Sequence, residues 1–402
     1  MSFSHIEHRH NSLFYHLKPS QFFRFMMSSV LRIAAMSLIG IFSSVYVYES
    51  ALANGKSHIN ALLIVVVFYI LIEVTKYAFL YIGEKASIQK GFKFCIWLSG
   101  IPFILFIPSI IFGGNNLFLI LIAGILLGGH AGLYWWGYHG YFVKAGDSKH
   151  YGEGIGKITF LQTTASVAAP ILGGISISIF GFSSIYVIAF ALICVSLLIL
   201  GTDHDYKQKH DTSIQEVADD ASRHPLSFLS LISRGMSQQT YGVFWALYLF
   251  LLFNSAFELG AITSVSLLFA AFAVMFIGKY NDKHGEIRAI LFASPILSIA
   301  WVLRYFVFTV APVVVANSMA SFSGQVVHVS IDELMYKKAN REHTAEALLY
   351  RELGIVGGML GSLITAGMFI LILGDFKPVF LVAALTSTLP IFYVINHYGR
   401  SR

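Results

Sequence analysis

The sequence predicts an all-α integral membrane protein, with twelve transmembrane helices in two six-helix pseudo-symmetric halves and both termini in the cytoplasm. Composition is the first observation: 56% of the 402 residues are hydrophobic and 12% are charged, whereas about 25% charged residues is typical of a soluble protein. The second is a set of twelve apolar runs long enough to cross a hydrocarbon core of about 30 Å. The third is a repeat that relates the two halves of the chain.

Each predicted helix is an apolar run bounded by polar or turn-forming residues. In chain order the runs are Ser20–Tyr48, Ile59–Ile82, Phe94–Phe112, Leu117–Phe142, Ile158–Phe180, Ser184–Leu200, Leu231–Phe253, Leu259–Ile277, Ile287–Val310, Val313–Met335, Ala347–Leu373 and Val379–Ile395. No small-residue cleavage site follows the first run, so we expect a retained helix and not a removable signal peptide. Cys95 and Cys194 fall in apolar runs, which argues against a disulfide framework and a thiolate metal site.

The basic residues between the runs define the orientation. With both termini in the cytoplasm, the outer loops hold only Lys56 and Lys377, while the cytoplasmic loops hold most of the 27 Lys and Arg residues. Loops rich in Lys and Arg stay on the cytoplasmic side. We therefore expect a multi-pass protein of the cell (inner) membrane.

The chain divides into two halves around a polar segment. Residues 202–228 mix charges of both signs and predict a cytoplasmic linker between a first half, residues 1–201, and a second half, residues 229–402. Corresponding glycines, Gly83 and Gly278, follow the second and the eighth predicted helices. Two six-helix halves of the same orientation are a known plan of secondary transporters.

A charged stretch, Gly278–Gly285 (Gly-Lys-Tyr-Asn-Asp-Lys-His-Gly), predicts a tight loop between the eighth and ninth helices. It resembles the charged loop at this place in transporters of the major facilitator superfamily (MFS), and residues 83–93 resemble its counterpart after the second helix, with Glu84 where the family pattern has Asp. The resemblance covers essentially the whole chain and implies the MFS fold. It also implies a gating loop that latches neighbouring helices in the outward-open state, formed by Gly278, Asp282, Lys283 and Gly285.

Four predicted helices, the first, fourth, seventh and tenth, each carry a stripe of polar residues at helical spacing. Such a stripe marks the side of a membrane helix that faces protein or water, and the resemblance places these four helices around a central substrate cavity. The candidate cavity residues are Arg32, His130, Tyr134, Tyr138, Tyr141, Gln238, Tyr241, Trp245, Tyr248, Asn317, Ser321, Gln325 and His328. On the opposite face of the fourth helix, Gly124, Gly128 and Gly132 predict close packing against a neighbour.

Charged residues inside the helices form a second candidate set, because such charges normally persist only when they are paired or line water. The set is Glu73, Lys76, Asp332, Glu333, Arg351 and Glu352. These residues can form interhelical ion pairs that change partners, or one acid can carry a proton. Glu73 is the deepest acid, and we expect it to pair with Lys76, three residues further on, with Arg32 as a competitor. Arg304 has no obvious partner in the sequence and suits a carboxylate or phosphate.

These observations favour a secondary active transporter that moves a small organic solute, anionic or zwitterionic, by alternating access. Proton coupling is expected, and residues 165–174 resemble a fifth-helix signature of exporting antiporters, which favours efflux. The chain lacks a nucleotide-binding loop, and neither an enzyme, a cofactor nor a resident metal is expected. Two alternatives remain: a divalent metal-ion transporter, suggested by 15 histidines, and a non-transporting receptor or partner subunit. The expected partners are the solute, protons and the lipid bilayer, with no nucleic acid, and the protein is expected to be a monomer.

Overall fold

The fold is all-helical in the part of the chain that this computed structural model describes, residues 19–145, 151–201, 205–208, 214–341 and 344–400. The predicted cytoplasmic termini, residues 1–18 and 401–402, lie outside it. The helices are α1 (Pro19–Ala53), α2 (His58–Gln89), α3 (Phe92–Leu98), α4 (Gly100–Gly113), α5 (Leu117–Ala145), α6 (Tyr151–Phe180), α7 (Ser183–Leu200), α8 (Ile214–Arg223), α9 (Pro225–Gln239), α10 (Ala246–Phe253), α11 (Ala256–His284), α12 (Glu286–Phe306), α13 (Val310–Arg341), α14 (Thr344–Leu373), α15 (Val379–Thr386) and α16 (Leu389–Arg400).

Among the described residues, ten helical segments are long and apolar enough to cross a membrane, with α3 and α4 together forming one of them. The two remaining predicted runs coincide with interrupted helices. The seventh run is covered by α9 and α10 with a π-helical turn, Thr240–Trp245, between them. The twelfth is covered by α15 and α16, which are separated at Ser387 and Thr388.

The break between α15 and α16 follows from a proline. Pro390 has no backbone N–H, so it cannot donate to the carbonyl of Thr386 four residues earlier. That carbonyl instead accepts a hydrogen bond of 2.6 Å from the hydroxyl of Ser233 on α9. A carbonyl inside a membrane must be satisfied within the protein, and Ser233 therefore supplies the bond that the proline removes.

Glycines bring α5 and α2 into close contact, as the spacing predicts. A Cβ atom on Gly128 would lie 2.3 Å from the carbonyl oxygen of Ile72, and one on Gly132 would lie 2.5 Å from that of Lys76. Both distances are far below van der Waals contact. The glycine face of α5 is therefore buried against the backbone of α2.

The two predicted halves also meet through glycines, where α6 packs along α11. A Cβ atom on Gly260 would lie 2.2 Å from the carbonyl oxygen of Pro170, and one on Gly174 would lie 2.6 Å from that of Ala256. These residues lie toward the ends of α6 and α11 that are remote from the basic loops. The interface between the halves is tightly closed at this end.

The segment predicted as a linker contributes to the described fold. It contains α8, and its residue Asp205 accepts hydrogen bonds from the backbone N–H groups of Lys93 (2.8 Å) and Phe94 (3.0 Å) at the start of α3. Gly91 has a φ of 114°, and a Cβ atom there would lie 2.3 Å from a carboxylate oxygen of Asp205. The segment is thus fastened to the turn after α2. The division into two halves stays a prediction.

Candidate substrate cavity

A cavity of about 340 Å³ lies between the two predicted halves. The first half contributes residues of α2, α5 and α6, and the second contributes residues of α9, α11, α12, α13, α14 and the π-helical turn. Its size is in the range of small-molecule sites, which start at about 300 Å³.

Ten of the sequence-predicted residues line this cavity. From the candidate cavity set these are Tyr138, Gln238, Tyr241, Ser321, Gln325 and His328, and from the charged set they are Lys76, Asp332, Arg351 and Glu352. The polar stripe of α13 accounts for four of them, because its residues at intervals of three and four share one helix face.

Other predicted residues lie outside the lining, and those of α1 and α5 pack inside the first half. Arg32 is buried, and its guanidinium carbon lies 3.1 Å from the ring centre of Tyr134. His130 Nδ1 lies 2.7 Å from the carbonyl oxygen of Ser99. The ring of Tyr141 packs at a tilt against that of Phe25 on α1, with 4.8 Å between the ring centres. A polar helix face can thus be occupied by neighbouring helices of its own half, and α1 contributes no described residue to the cavity.

The π-helical turn divides the predicted stripe of the seventh run. A π turn holds one residue more than an α turn, so the residues after it are rotated by about 100°. Gln238 and Tyr241 face the cavity, but Trp245 and Tyr248 do not line it. The Tyr248 hydroxyl instead donates to the carbonyl of Val307, at 2.6 Å.

An ion-pair network crosses the cavity between the halves. Lys76 Nζ on α2 lies 3.3 Å from Glu352 Oε2 on α14, and Glu352 also contacts Arg351. Arg351 lies 2.7 Å from Asp332 Oδ1, which in turn contacts Arg234. Three cations therefore share two carboxylates. Arg234, which the sequence places near a helix end, is part of the network.

His139 joins the same network from α5. Its Nε2 atom lies 3.2 Å from Arg351 Nη1 and 3.7 Å from Glu352 Oε1. His139 lies outside the predicted polar stripes, and the same holds for four other residues that line the cavity, Trp135, Gln162, Ser237 and Trp301. Gln162 belongs to α6, one helix outside the four that were expected to form the site. Its position could not be inferred from the stripes.

The expected pair of Glu73 with Lys76 is absent from the described contacts, because Lys76 contacts Glu352 instead. Glu73 is buried, and its Oε2 atom has no hydrogen-bond partner among the described residues. Glu333 also lies outside the lining, where it accepts a hydrogen bond of 3.1 Å from Asn281. Local spacing suggested a pair within α2, whereas the structure forms one across the halves.

Arg304 lies at another part of the cavity, enclosed by aromatic rings. Its guanidinium carbon is 4.3 Å from the ring centre of Trp301, 4.7 Å from that of Trp245 and 5.1 Å from that of Tyr241. It donates a hydrogen bond to the side-chain oxygen of Asn317. No carboxylate in the described part of the chain lies within ion-pair distance of it.

The predicted gating loop is mostly helical. Helix α11 continues to His284, and the chain turns only at Gly285, which has a φ of 84°. The side-chain amide of Asn281, buried on α11, donates a hydrogen bond of 3.0 Å to the hydroxyl of Ser330 on α13. This bond ties this end of α11 to α13. Gly278 is buried within α11, while the side chains of Asp282 and Lys283 are exposed. Their role as a latch stays a prediction.

Comparison with known proteins identifies the fold only. No protein-family model matches the sequence, and no curated protein matches it. Among solved structures, the chain is similar to the human organic anion transporter MFSD10 (TETRAN), an MFS transporter, with a TM-score of 0.66 and 13% sequence identity over 94% of this chain and 100% of that chain.

Proposed function

Because this chain has the fold of a major facilitator superfamily transporter, we propose that it is a secondary active transporter that moves small organic anions across the membrane by alternating access. The charge of the cavity carries the proposal. Four cations line it, Lys76, Arg234, Arg304 and Arg351, against two acids, Asp332 and Glu352. A positive excess inside a low-dielectric site attracts anions. The neighbour MFSD10 is itself named an organic anion transporter, which fits this charge.

The proposal keeps the predicted topology. The ten membrane-spanning segments and the two interrupted helices together give twelve crossings, with both termini cytoplasmic by the positive-inside rule. Residues 1–201 and 229–402 then form the two halves of a multi-pass protein of the cell (inner) membrane, acting as a monomer.

Alternating access requires the halves to separate on one side while they close on the other. The ion pair of Lys76 with Glu352 and the contact of His139 with Arg351 both join the halves. In this proposal they exist in one conformation and exchange partners, or water, in the other. An anion entering the cavity competes with the carboxylates for the same cations.

Proton coupling is assigned to Glu73. Its buried Oε2 atom has no hydrogen-bond partner among the described residues, and a buried carboxyl group needs either a cation or a proton. The nearest lysine along α2, Lys76, is engaged with Glu352. Proton antiport and export are parts of this proposal, and export rests on the resemblance of residues 165–174.

The test is uptake into proteoliposomes of radiolabelled benzenesulfonate and methanesulfonate, which stay ionised and do not cross bilayers as neutral acids. We expect uptake above that of protein-free liposomes, accelerated by a pH gradient. Glu73→Gln should keep anion exchange but lose the response to the gradient. If neither anion crosses faster than in protein-free liposomes under any gradient, the proposal is wrong.

The two alternatives have less support. Within the described chain no group of three His, Cys, Asp or Glu side chains could hold a metal ion, and the guanidinium of Arg351 lies beside His139, Asp332 and Glu352, where a metal would have to bind. Uptake of labelled Mn²⁺ or Zn²⁺ would favour a metal-ion transporter. Tight binding of a ligand without any flux would favour a receptor.

A further inference from the structure

We infer that Arg304 and the rings around it form a subsite for the acidic group of an aromatic organic anion. The inference rests on the proposed transport of organic anions and adds which cation receives the acidic group and what kind of body the anion has.

The first argument is the distribution of charge among the cavity cations. Lys76 contacts Glu352, and Arg234 and Arg351 contact Asp332. Each of these three cations already has a carboxylate of the protein. Arg304 has none within ion-pair distance among the described residues, so its charge is available to an anion without displacing a protein acid.

The second argument is an unsatisfied donor of Arg304. This residue is 1% exposed, and its Nε–H has no hydrogen-bond partner in the described part of the chain. Buried donors are almost always paired in native proteins. Because Arg304 lines the cavity, a carboxylate or sulfonate oxygen bound there is an acceptor of the kind that would satisfy this N–H group.

The third argument is distance. Asn317, which binds Arg304, and Asp332, which binds Arg351, are on the same helix, α13. They are fifteen positions apart in the sequence, which corresponds to about 22 Å along the helix axis. A small monoanion therefore reaches either Arg304 or the ion-pair network, and only Arg304 lacks a competing carboxylate.

The fourth argument concerns the body of the anion. Tyr241 and Trp301 flank Arg304 and line the cavity. Aromatic rings favour stacked or edge-on contact with another planar ring. These walls suit a flat aromatic body better than a compact aliphatic one.

The experiment measures equilibrium binding of radiolabelled benzenesulfonate to the purified protein in nanodiscs, with no gradient. Methanesulfonate tests the need for a ring, and benzenesulfonamide, which is neutral, tests the need for the charge. We expect both to compete at least about tenfold more weakly than benzenesulfonate. Arg304→Gln should weaken binding by about ten- to a hundredfold, as expected for lost hydrogen bonds to a charged group.

Two further variants keep the test decisive. Arg304→Lys keeps the charge but loses the planar fork, and it should weaken binding by about fivefold or more. Arg32→Lys is the matched control, because Arg32 is equally buried and stacked on a tyrosine but lies off the cavity. Its affinity should stay within about twofold of wild type.

Wild-type affinity in the folded Arg304→Gln and Arg304→Lys variants would overturn the inference, as would equal binding of benzenesulfonamide. Binding that depends on Arg304, combined with no flux in proteoliposomes, would leave the subsite standing and reject transport. Flux of methanesulfonate that stays unchanged in Arg304→Gln would support transport and reject the subsite.

Discussion

Replacing Glu352 by Gln should destabilise the protein strongly. Glu352 is 3% exposed and lies 3.3 Å from the Lys76 ammonium, whose ion-pair partner it is. Arg351 retains its ion pair with Asp332, at 2.7 Å. The main loss of stability therefore comes from leaving the buried Lys76 ammonium without a carboxylate. Leaving one member of a buried ion pair without its partner costs about 3–5 kcal/mol, which would lower the ratio of folded to unfolded protein by more than about a hundredfold.

The assay is unfolding in dodecyl maltoside micelles titrated with sodium dodecyl sulfate, followed by tryptophan fluorescence. Lys76→Gln alone should cost a similar amount, and the double variant should cost less than the sum of the two by about 1–3 kcal/mol. Glu258→Gln is the control, since Glu258 is exposed at the start of α11, and it should change the unfolding free energy by less than about 1 kcal/mol. Additive costs within about 0.5 kcal/mol would show that the two side chains are not coupled, and the network would then need another explanation.

Three further predictions use the same unfolding assay. Gly128→Ala should cost about 1–3 kcal/mol because its Cβ would meet the backbone of α2 at 2.3 Å, while Gly40→Ala, with nothing within 4 Å, should be neutral or slightly stabilising; equal effects would contradict the packing. Ser233→Ala should lower the unfolding free energy by about 1 kcal/mol. In a Pro390→Ala background the same change should have no effect, because the backbone N–H of residue 390 can then donate to the carbonyl of residue 386. An equal loss in both backgrounds would show that Ser233 does not compensate for the proline. Burial raises the pKa of Asp205 above its ordinary value, although backbone hydrogen bonds to its carboxylate oppose the shift. The contribution of Asp205 to the unfolding free energy should therefore be full below the unfolded-state pKa and be lost as the pH rises through the folded-state pKa. Asp205→Asn should remove this dependence of the unfolding free energy on pH.

The cavity face of α13 could be predicted from the sequence because a regular helix keeps its phase. Ser321, Gln325, His328 and Asp332 lie on one turn after another and all line the site. The same reasoning fails for the seventh run, because no residue pattern announces a π turn at Thr240–Trp245. Trp245 and Tyr248 were therefore assigned to a face that they do not occupy.

Contacts between distant segments could not be predicted from the sequence, for a different reason. Helical spacing brings residues three or four apart together, which favours Glu73 with Lys76. Lys76 and Glu352 meet only because the halves pack against each other, and no local pattern encodes that contact. The glycine spacing of α5 succeeds because small residues allow close approach whichever helix lies opposite.

Helix α9 packs against both α15 and α16, so two interrupted helices of the second half contact each other. A continuous helix resists bending through its hydrogen bonds, and an interruption lowers that stiffness locally. The π turn contributes Tyr241 to the cavity wall beside Arg304. That wall should therefore bend more easily than one built of continuous helices, so that the proposed subsite can adjust to the ring of a bound anion.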